Sequence, residues 1–531
     1  MLPINRRQFV VQTGVGALGL GLLPWLSACK TETASAVASP PSNALLRATP
    51  ESQGVDSQGI LNFLEAAATA GFEWHSFMLL RHGKVVAEGW WSPFKPEYYH
   101  TLYSLSKSFT STAVGFAEAE GLLKVTDKVI SFFPDQLPAE VSPNLAAMDI
   151  HNLLTMHTGH DSDSFAAIAQ HPETAWVPQF FKHPVPNPPG TNFLYDTGAT
   201  FMASAIVQKV TGMPVVEYLK PRLFDPLGIE HYDWEKSPEG INTGGFGLRV
   251  TTEAIAKFGQ TYLKKGMWNG RQVVPEHWTQ AATQRQVASN PGDGHWSNGY
   301  GYQFWRCIPQ GVYRGDGRNG QLCIVMPEQD AVLALTAESW DMAKEMDIVF
   351  EHLFGAVKPE ALPENAALQQ TLAEKLQTLH IPVPTGSKIS SKAGEISGKS
   401  YQLSENPFGV TGLRLSVDSN QCECIFTTAA GDTRLLAGME KWITNGSDVK
   451  NLFPVPFFLD KPSVIAATAT WKGENTLEIF QKMVETIHGD TLSFEFDGDQ
   501  VALSFQSSLA AHETGERTQE RRAKIVGKAA G

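Results

Sequence analysis

Cysteine is scarce in this chain. Cys29, Cys307, Cys323, Cys422 and Cys424 are all it has in 531 residues, and no spacing among them resembles a structural zinc site. Positive charge is short as well: 42 Lys and Arg stand against 55 Asp and Glu, for a net charge of -13. No basic field exists to hold phosphates, which excludes nucleic acid as a partner. Internal repeats are absent, and the one long apolar run is at the N-terminus. Charged residues make up only 18%, and hydrophobic residues 42%, the balance of a soluble globular protein. The length exceeds one ordinary core, so at least two domains are expected. Glycine (46) and proline (32) are plentiful, as suits a loop-rich enzyme.

Residues 1–28 read as an export signal. Asn5-Arg6-Arg7-Gln8-Phe9 carries a twin arginine, and the Gly-rich apolar segment from Val10 to Leu26 is short and ends in small residues. Leu26-Ser27-Ala28-Cys29 fits the lipobox pattern and resembles a bacterial lipoprotein leader; a plain leader is the alternative. The resemblance implies cleavage before Cys29, a lipid on its sulfur, and a periplasmic or cell-envelope protein held to the membrane by that anchor. Residues 29–44, rich in Ser, Ala, Thr and Pro, would then form a flexible tether. Twin-arginine export of a folded chain implies that Cys307, Cys323, Cys422 and Cys424 fold as free thiols, although Cys307 and Cys323 could bridge neighbouring strands.

From residue 45 to 357 the pattern runs strands, helices, strands. Phe77 to Arg81 and Val85 to Glu88 flank His82-Gly83-Lys84 as a hairpin. Helical segments follow to about Thr211, the best patterned being Gly198 to Val210, and another is expected from Thr251 to Lys264 with Thr252 as its cap. Strands return at 301–305, 321–326 and 331–335. The fold class expected is α+β: an antiparallel sheet flanked by helices, with a helical subdomain inserted between its N- and C-terminal strands. Residues 358–393 read as a proline-rich linker with one helix, Ala366 to Leu379. Residues 394–507 show short alternating runs and turn signals, an all-β barrel or sandwich of roughly six to eight strands. Residues 508–531 read as a frayed tail.

Chemistry concentrates in Ser104-Leu105-Ser106-Lys107. A serine hydroxyl needs a neighbour to take its proton, and a lysine one helical turn later can do so if burial lowers its pKa. About two S-x-x-K spacings are expected by chance in a chain this long. Four occur: Ser27/Lys30, Ser92/Lys95, Ser104/Lys107 and Ser447/Lys450. The first lies in the leader, and prolines disfavour a helix at the second and fourth. Only Ser104 opens a good helical pattern, through Phe109, Ala113, Phe116 and Ala117 to Gly121. A serine cap with a solvated lysine is the bland alternative. Tyr195, in a turn before the Gly198 helix, could project into a cleft and share protons with Lys107. Gly315-Asp316-Gly317-Arg318-Asn319-Gly320-Gln321 runs into an apolar strand, where glycines admit close backbone approach and a strand-edge N–H can serve an oxyanion.

Together these residues resemble the penicillin-recognising serine hydrolases, the superfamily of class C β-lactamases, D-aminopeptidases, related carboxylesterases and nylon-oligomer hydrolases. The matching order is Ser104/Lys107, then Tyr195/Thr197, then Gly315-Asp316-Gly317, with framework agreement at Asn152 to Gly159, Pro189-Gly190-Thr191 and Lys257 to Gln260. The resemblance implies a β-lactamase-like fold over about Thr49 to Gly355 and acyl transfer through Ser104. Lys107 and Tyr195 would share the base work, and the backbone N–H groups of Ser104 and Arg318 would hold the oxyanion. Thr197, Gly315, Asp316, Gly317 and Arg318 would meet substrate or orient Lys107, with no metal or organic cofactor. The family's Lys or His opening the third motif is Gly315 here, followed by acidic Asp316. That departure favours an ester or amide in a small substrate over a β-lactam; β-lactamase or D-amino acid peptidase activity is the alternative. Arg314 and Arg318 are the candidates to replace the missing cation, with a surface charge as the competing reading. Trp90, Trp91, Tyr98 and Tyr99 are candidates to wall an apolar pocket, with core packing as the competing reading.

Two rivals stand beside this reading. His151, His157, His160, Asp161 and Asp163 crowd together as in a metal hydrolase, but Thr158-Gly159 interrupts the helix that would align them. A catalytically idle wall- or peptide-binding lipoprotein on the same fold is the other.

Overall fold

The computed structural model describes residues 43–446, 449–454, 463–515 and 518–530. The export signal, Cys29 and almost all of the tether lie outside the described residues, as do Ser27 and Ser447 of the competing spacings. Ser92/Lys95 is not helical.

Seven strands make the first sheet: β1 (Leu46–Arg47), β2 (Glu73–Arg81), β3 (Lys84–Trp90), β4 (Trp305–Arg306), β5 (Tyr313–Gly317), β6 (Gln321–Met326) and β7 (Ala331–Glu338). Their order is β1-β3-β2-β7-β6-β5-β4, antiparallel except for β1 on β3. Side chains alternate between two cores, as period two requires. On β7, Ala331, Leu333 and Leu335 join an outer core, while Val332 and Ala334 join an inner one. Because both faces are covered, β2 and β7 read as near-continuous apolar runs rather than as alternation. Each fully buried Leu or Val here contributes roughly 1.5–3 kcal/mol.

The outer face packs on α1 (Ser57–Ala68), capped by Asp56. The inner face packs on the helical subdomain through α2 (Ser106–Ala119), α3 (Thr197–Thr211) and α4 (Thr252–Leu263). The cap of α4 is Thr251, one residue earlier than expected; its side chain accepts from the Ala254 N–H. Gly259 lets α4 lie against the sheet: a Cβ there would come within 2.6 Å of Val332 and 2.8 Å of the Cys323 sulfur. The strand expected at 301–305 is only Trp305–Arg306. Gln303 takes a left-handed φ of 66° and turns its amide to the carbonyls of Leu153 and Leu154 at 3.2 and 2.9 Å.

Residues 358–393 are packed rather than loose. The helix α5 (Ala366–Gln377) buries Leu372 in the outer core, and Leu376 and Leu379 close over Gly89 of β3. Beyond it, nine strands close a barrel: β8 (Ser400–Leu403), β9 (Val410–Val417), β10 (Gln421–Thr428), β11 (Gly431–Met439), β12 (Ile465–Lys472), β13 (Thr476–Met483), β14 (Gly489–Asp497), β15 (Gln500–Ser507) and β16 (Ile525–Ala529). The ladder runs β11-β10-β9-β8-β16-β15-β14-β13-β12, and a parallel pairing of β11 with β12 closes it. Closure removes the two exposed edges that a sandwich would keep.

The frayed tail is therefore a correction. Residues 525–529 form the barrel strand β16 between β8 and β15, and Arg522 makes a buried two-pronged pair with Asp490 at 2.7 and 2.8 Å. Cys307, Cys323, Cys422 and Cys424 are free and buried.

Candidate active site

Ser104 sits on a short 3-10 turn, Tyr103–Leu105, that feeds directly into α2. The turn is anchored from both sides. Leu102 N–H donates to Leu248 O at 2.9 Å, and Leu105 N–H to Leu102 O at 3.1 Å. The hydroxyls of α2 are structural: Ser106 accepts from Leu248 N–H, Ser108 donates to Gln303 O and Thr110 to Gly244 O. Ser104 itself is half-buried, unlike Leu102, Leu105, Ser106 and Lys107 around it.

Lys107 lies one turn on and is 1% exposed. Its Nζ is 3.0 Å from Ser104 Oγ, 2.9 Å from Gly245 O and 3.5 Å from Thr197 Oγ1. Burial lowers its pKa to about 8; the carboxylates of Asp163, Asp196 and Asp316 resist that fall. An amine with this pKa is neutral often enough near physiological pH to accept a proton.

Tyr195 is brought in from the residue pair ahead of α3. Its side chain neighbours Ser104, and its ring lies 4.9 Å from Lys107 Nζ. Burial raises its pKa above the usual phenol value, with Asp316 adding to the rise, so the phenol keeps its proton. The ring is held by stacking on Trp305 at 5.5 Å and by the edge of Tyr300. The N-terminus of α3 is fixed by Asp196, which caps Gly198 and Ala199, and by Asp163, which accepts from Thr197 N–H at 2.9 Å.

The glycine strand passes close to the Ser104 turn. A Cβ on Gly315 would meet Leu105 at 2.5 Å and Ser108 Oγ at 2.6 Å, and one on Gly317 would meet Leu102 O at 2.0 Å. Arg318 begins the turn between β5 and β6, in which Asn319 and Gly320 are left-handed. Asp316 is 7% exposed and accepts from Arg314 Nε and Trp296 Nε1, both at 3.0 Å. Arg314 is fully buried against it. Arg318 pairs with Glu513 from the segment after β15. Arg314 is thus buried and paired, and Arg318, although 40% exposed, is paired as well.

The histidines of the metal reading are engaged in the fold. His157 Nδ1 bonds Thr155 O at 2.9 Å, and His160 Nδ1 bonds Asp196 at 2.8 Å. Glu73, His75 and Glu338 have metal-ligand spacing, but the Lys482 ammonium lies between the carboxylates, 2.7 Å from Glu73 and 3.0 Å from Glu338. Trp91 belongs to the outer core beside Trp74 and Phe77, which removes it from the expected pocket wall.

Sequence reasoning missed Gly245 and the Tyr300/Trp305 support of Tyr195, and it grouped Asp163 with the metal candidates rather than beside Lys107 and Thr197. Gly245 lies in a glycine cluster, Gly244-Gly245 and Gly247, which was the available signal. The aromatic support leaves none, because it is assembled across distant loops.

Residues 65–356, more than half of the chain, match the family model described as Beta-lactamase. A 6-aminohexanoate-dimer hydrolase from Paenarthrobacter ureafaciens is 25% identical over 288 residues, 50% of this chain and 72% of the relative. A beta-lactamase from Escherichia coli is 21% identical over 259 residues, 42% of this chain and 62% of the relative. Among solved structures, the octameric penicillin-binding protein homologue from Pyrococcus abyssi is similar at a TM-score of 0.47 and 16% identity, covering 88% of this chain and 99% of that one. With its Ser104-Lys107-Tyr195 cluster seated on a helix-flanked antiparallel sheet, the chain belongs to the beta-lactamase family of serine hydrolases.

Proposed function

We propose that this protein hydrolyses an ester or amide bond in a small substrate that carries no carboxylate anchor. The observation that carries the specificity is Gly315. The family resemblance places a Lys or His there to bind a substrate carboxylate, but Leu105 and Ser108 fill the space a side chain would need. The nearby arginines are each paired with an acid. A β-lactam or C-terminal peptide would find no free cation at that position.

In the proposed reaction Ser104 Oγ attacks the carbonyl carbon and its proton passes to neutral Lys107 Nζ. Negative charge on the former carbonyl oxygen is met by the N–H groups of Ser104 and Arg318. Collapse breaks the bond to the leaving group, which takes a proton from Tyr195 as Lys107 restores it. Water then repeats the sequence on the acyl-enzyme, releasing acid and regenerating Ser104. The high pKa of Tyr195 suits a proton donor, and the lowered one of Lys107 suits the base.

Within that class a linear amide is favoured by the relative named for hydrolysis of the 6-aminohexanoate dimer, and β-lactamase or D-amino acid peptidase activity is the second reading. Intact-mass analysis after incubation with a panel of p-nitrophenyl esters, D-amino acid amides and a β-lactam separates these readings. Acylation by esters or amides with no β-lactam adduct is expected. A stable or rapidly hydrolysed β-lactam adduct would overturn the assignment. Export and lipidation at Cys29 complete the proposal. Labelling of cells with a palmitate analogue should tag the wild type and not Cys29→Ser.

A further inference from the structure

The buried charges not used in the reaction gather where the barrel meets the ends of β2 and β7. Glu338, the last residue of β7, is 2% exposed. It accepts from Lys482 Nζ at 3.0 Å, from His488 Nδ1 at 2.7 Å and from Ser508 Oγ, all three from the C-terminal region. Burial alone would raise the pKa of this carboxyl, but Lys482 and His488 outweigh it and hold the group ionised. An ionised carboxylate only accepts, so the Nδ1 of His488 carries a proton. In the neutral ring Nε2 is then an acceptor, and Tyr103 Oη lies 2.8 Å from it, placed to donate. The tautomer is assigned from this network.

Tyr103 immediately precedes Ser104. Its φ is 43°, the left-handed region, which a bulky side chain occupies under strain and only when the surroundings impose it. The hydroxyl of Tyr103 is the far end of that lever. Fixing it fixes the peptide that carries the Ser104 N–H.

We propose that Glu338 and His488 act as positioning residues, a relay by which the barrel holds Tyr103 and so presents Ser104 to substrate. This rests on Ser104 being the nucleophile. The barrel is then part of the catalytic unit and not an appended module.

The test uses the full chain and four proteins: wild type, Tyr103→Phe, His488→Gln and the double variant. Active sites are titrated with a fluorophosphonate, and kcat and KM for p-nitrophenyl acetate are expressed per labelled site. Loss of folded protein lowers the number of sites but not the rate per site, so a merely structural role leaves kcat unchanged. Each single variant should lower kcat about tenfold with KM within about twofold, the scale expected for a displaced nucleophile. The double variant should fall no further, since both changes break one link. Wild-type kcat in a labelled Tyr103→Phe would overturn the relay alone, as would additive losses in the double variant. Tyr103→Phe removes one oxygen and keeps the ring, so it decides the matter if His488→Gln does not fold. A wild type that takes no label would remove the Ser104 assignment and the relay with it.

Discussion

Gly245→Ala is the smallest change that should disable the base without touching Ser104, Lys107 or Tyr195. A methyl at this position would lie 2.8 Å from Thr197 Cγ2, 3.1 Å from Thr197 O and 3.3 Å from Lys107 Nζ. Carbon atoms pack at about 3.5–4.0 Å, so the first contact must open by roughly 0.7 Å or more. The backbone has little freedom to retreat, because Gly245 O is itself the 2.9 Å acceptor of Lys107. Left-handed strain is not the cause, since Gly245 has no positive φ. Overpacking of this kind costs about 1–3 kcal/mol of stability. Lys107 itself, 3.3 Å away, must give by a few tenths of an ångström, and a shift of that size should slow acylation by about tenfold. Stopped-flow acylation by a p-nitrophenyl ester, with a thermal melt of the same sample, reads both effects. A folded variant that acylates at the wild-type rate would refute the claim that Lys107 is held for proton transfer.

Three further outcomes follow from the same geometry. Activity should rise with pH through an apparent pKa of about 8, because the neutral Lys107 amine is the active form, and Asp163→Asn should move that limb to lower pH by removing a neighbouring negative charge; a pH–rate profile flat from 6 to 9 would contradict it. Glu345 is buried under Gly320 and its carboxyl is pushed up to about 8 by burial. Its folded pKa exceeds the unfolded one, so its stabilising contribution is full below the unfolded value near 4.5 and is lost as pH rises toward 8. Glu345→Gln should therefore melt progressively higher than wild type across that window, and parallel melting curves would contradict the account. Arg522→Ala strands buried Asp490 and should cost roughly 3–5 kcal/mol in denaturant unfolding; an unchanged midpoint would show that the pair does not hold the C-terminal segment in place.

The sheet was legible where burial on both faces left continuous apolar runs, as at Phe77 to Leu80 and Ala331 to Leu335. The catalytic helix was legible because a helix carries its own geometry: Ser104 and Lys107 are neighbours by local periodicity alone. Tyr195 needed the order of motifs, since nothing local ties it to position 104. What failed is instructive. In β16 Ile525, Gly527 and Ala529 face the barrel interior but two of them are small, and Val526 is 52% exposed, so the five residues that bridge β8 and β15 carry almost no hydrophobic signal. The segment from Gly301 to Phe304 has strand-like aromatics, yet Gln303 is recruited to cap the Leu153 and Leu154 carbonyls and bends the chain. Asp316 read as a group facing substrate, and its engagement by Arg314 and Trp296 depends on a fold no spacing reports.

The most direct test is peptide mapping of the fluorophosphonate adduct. The account predicts one modified residue, Ser104, with labelling abolished in Ser104→Ala and strongly slowed in Lys107→Met. An adduct at another serine, or a folded wild type that takes no label, would contradict it.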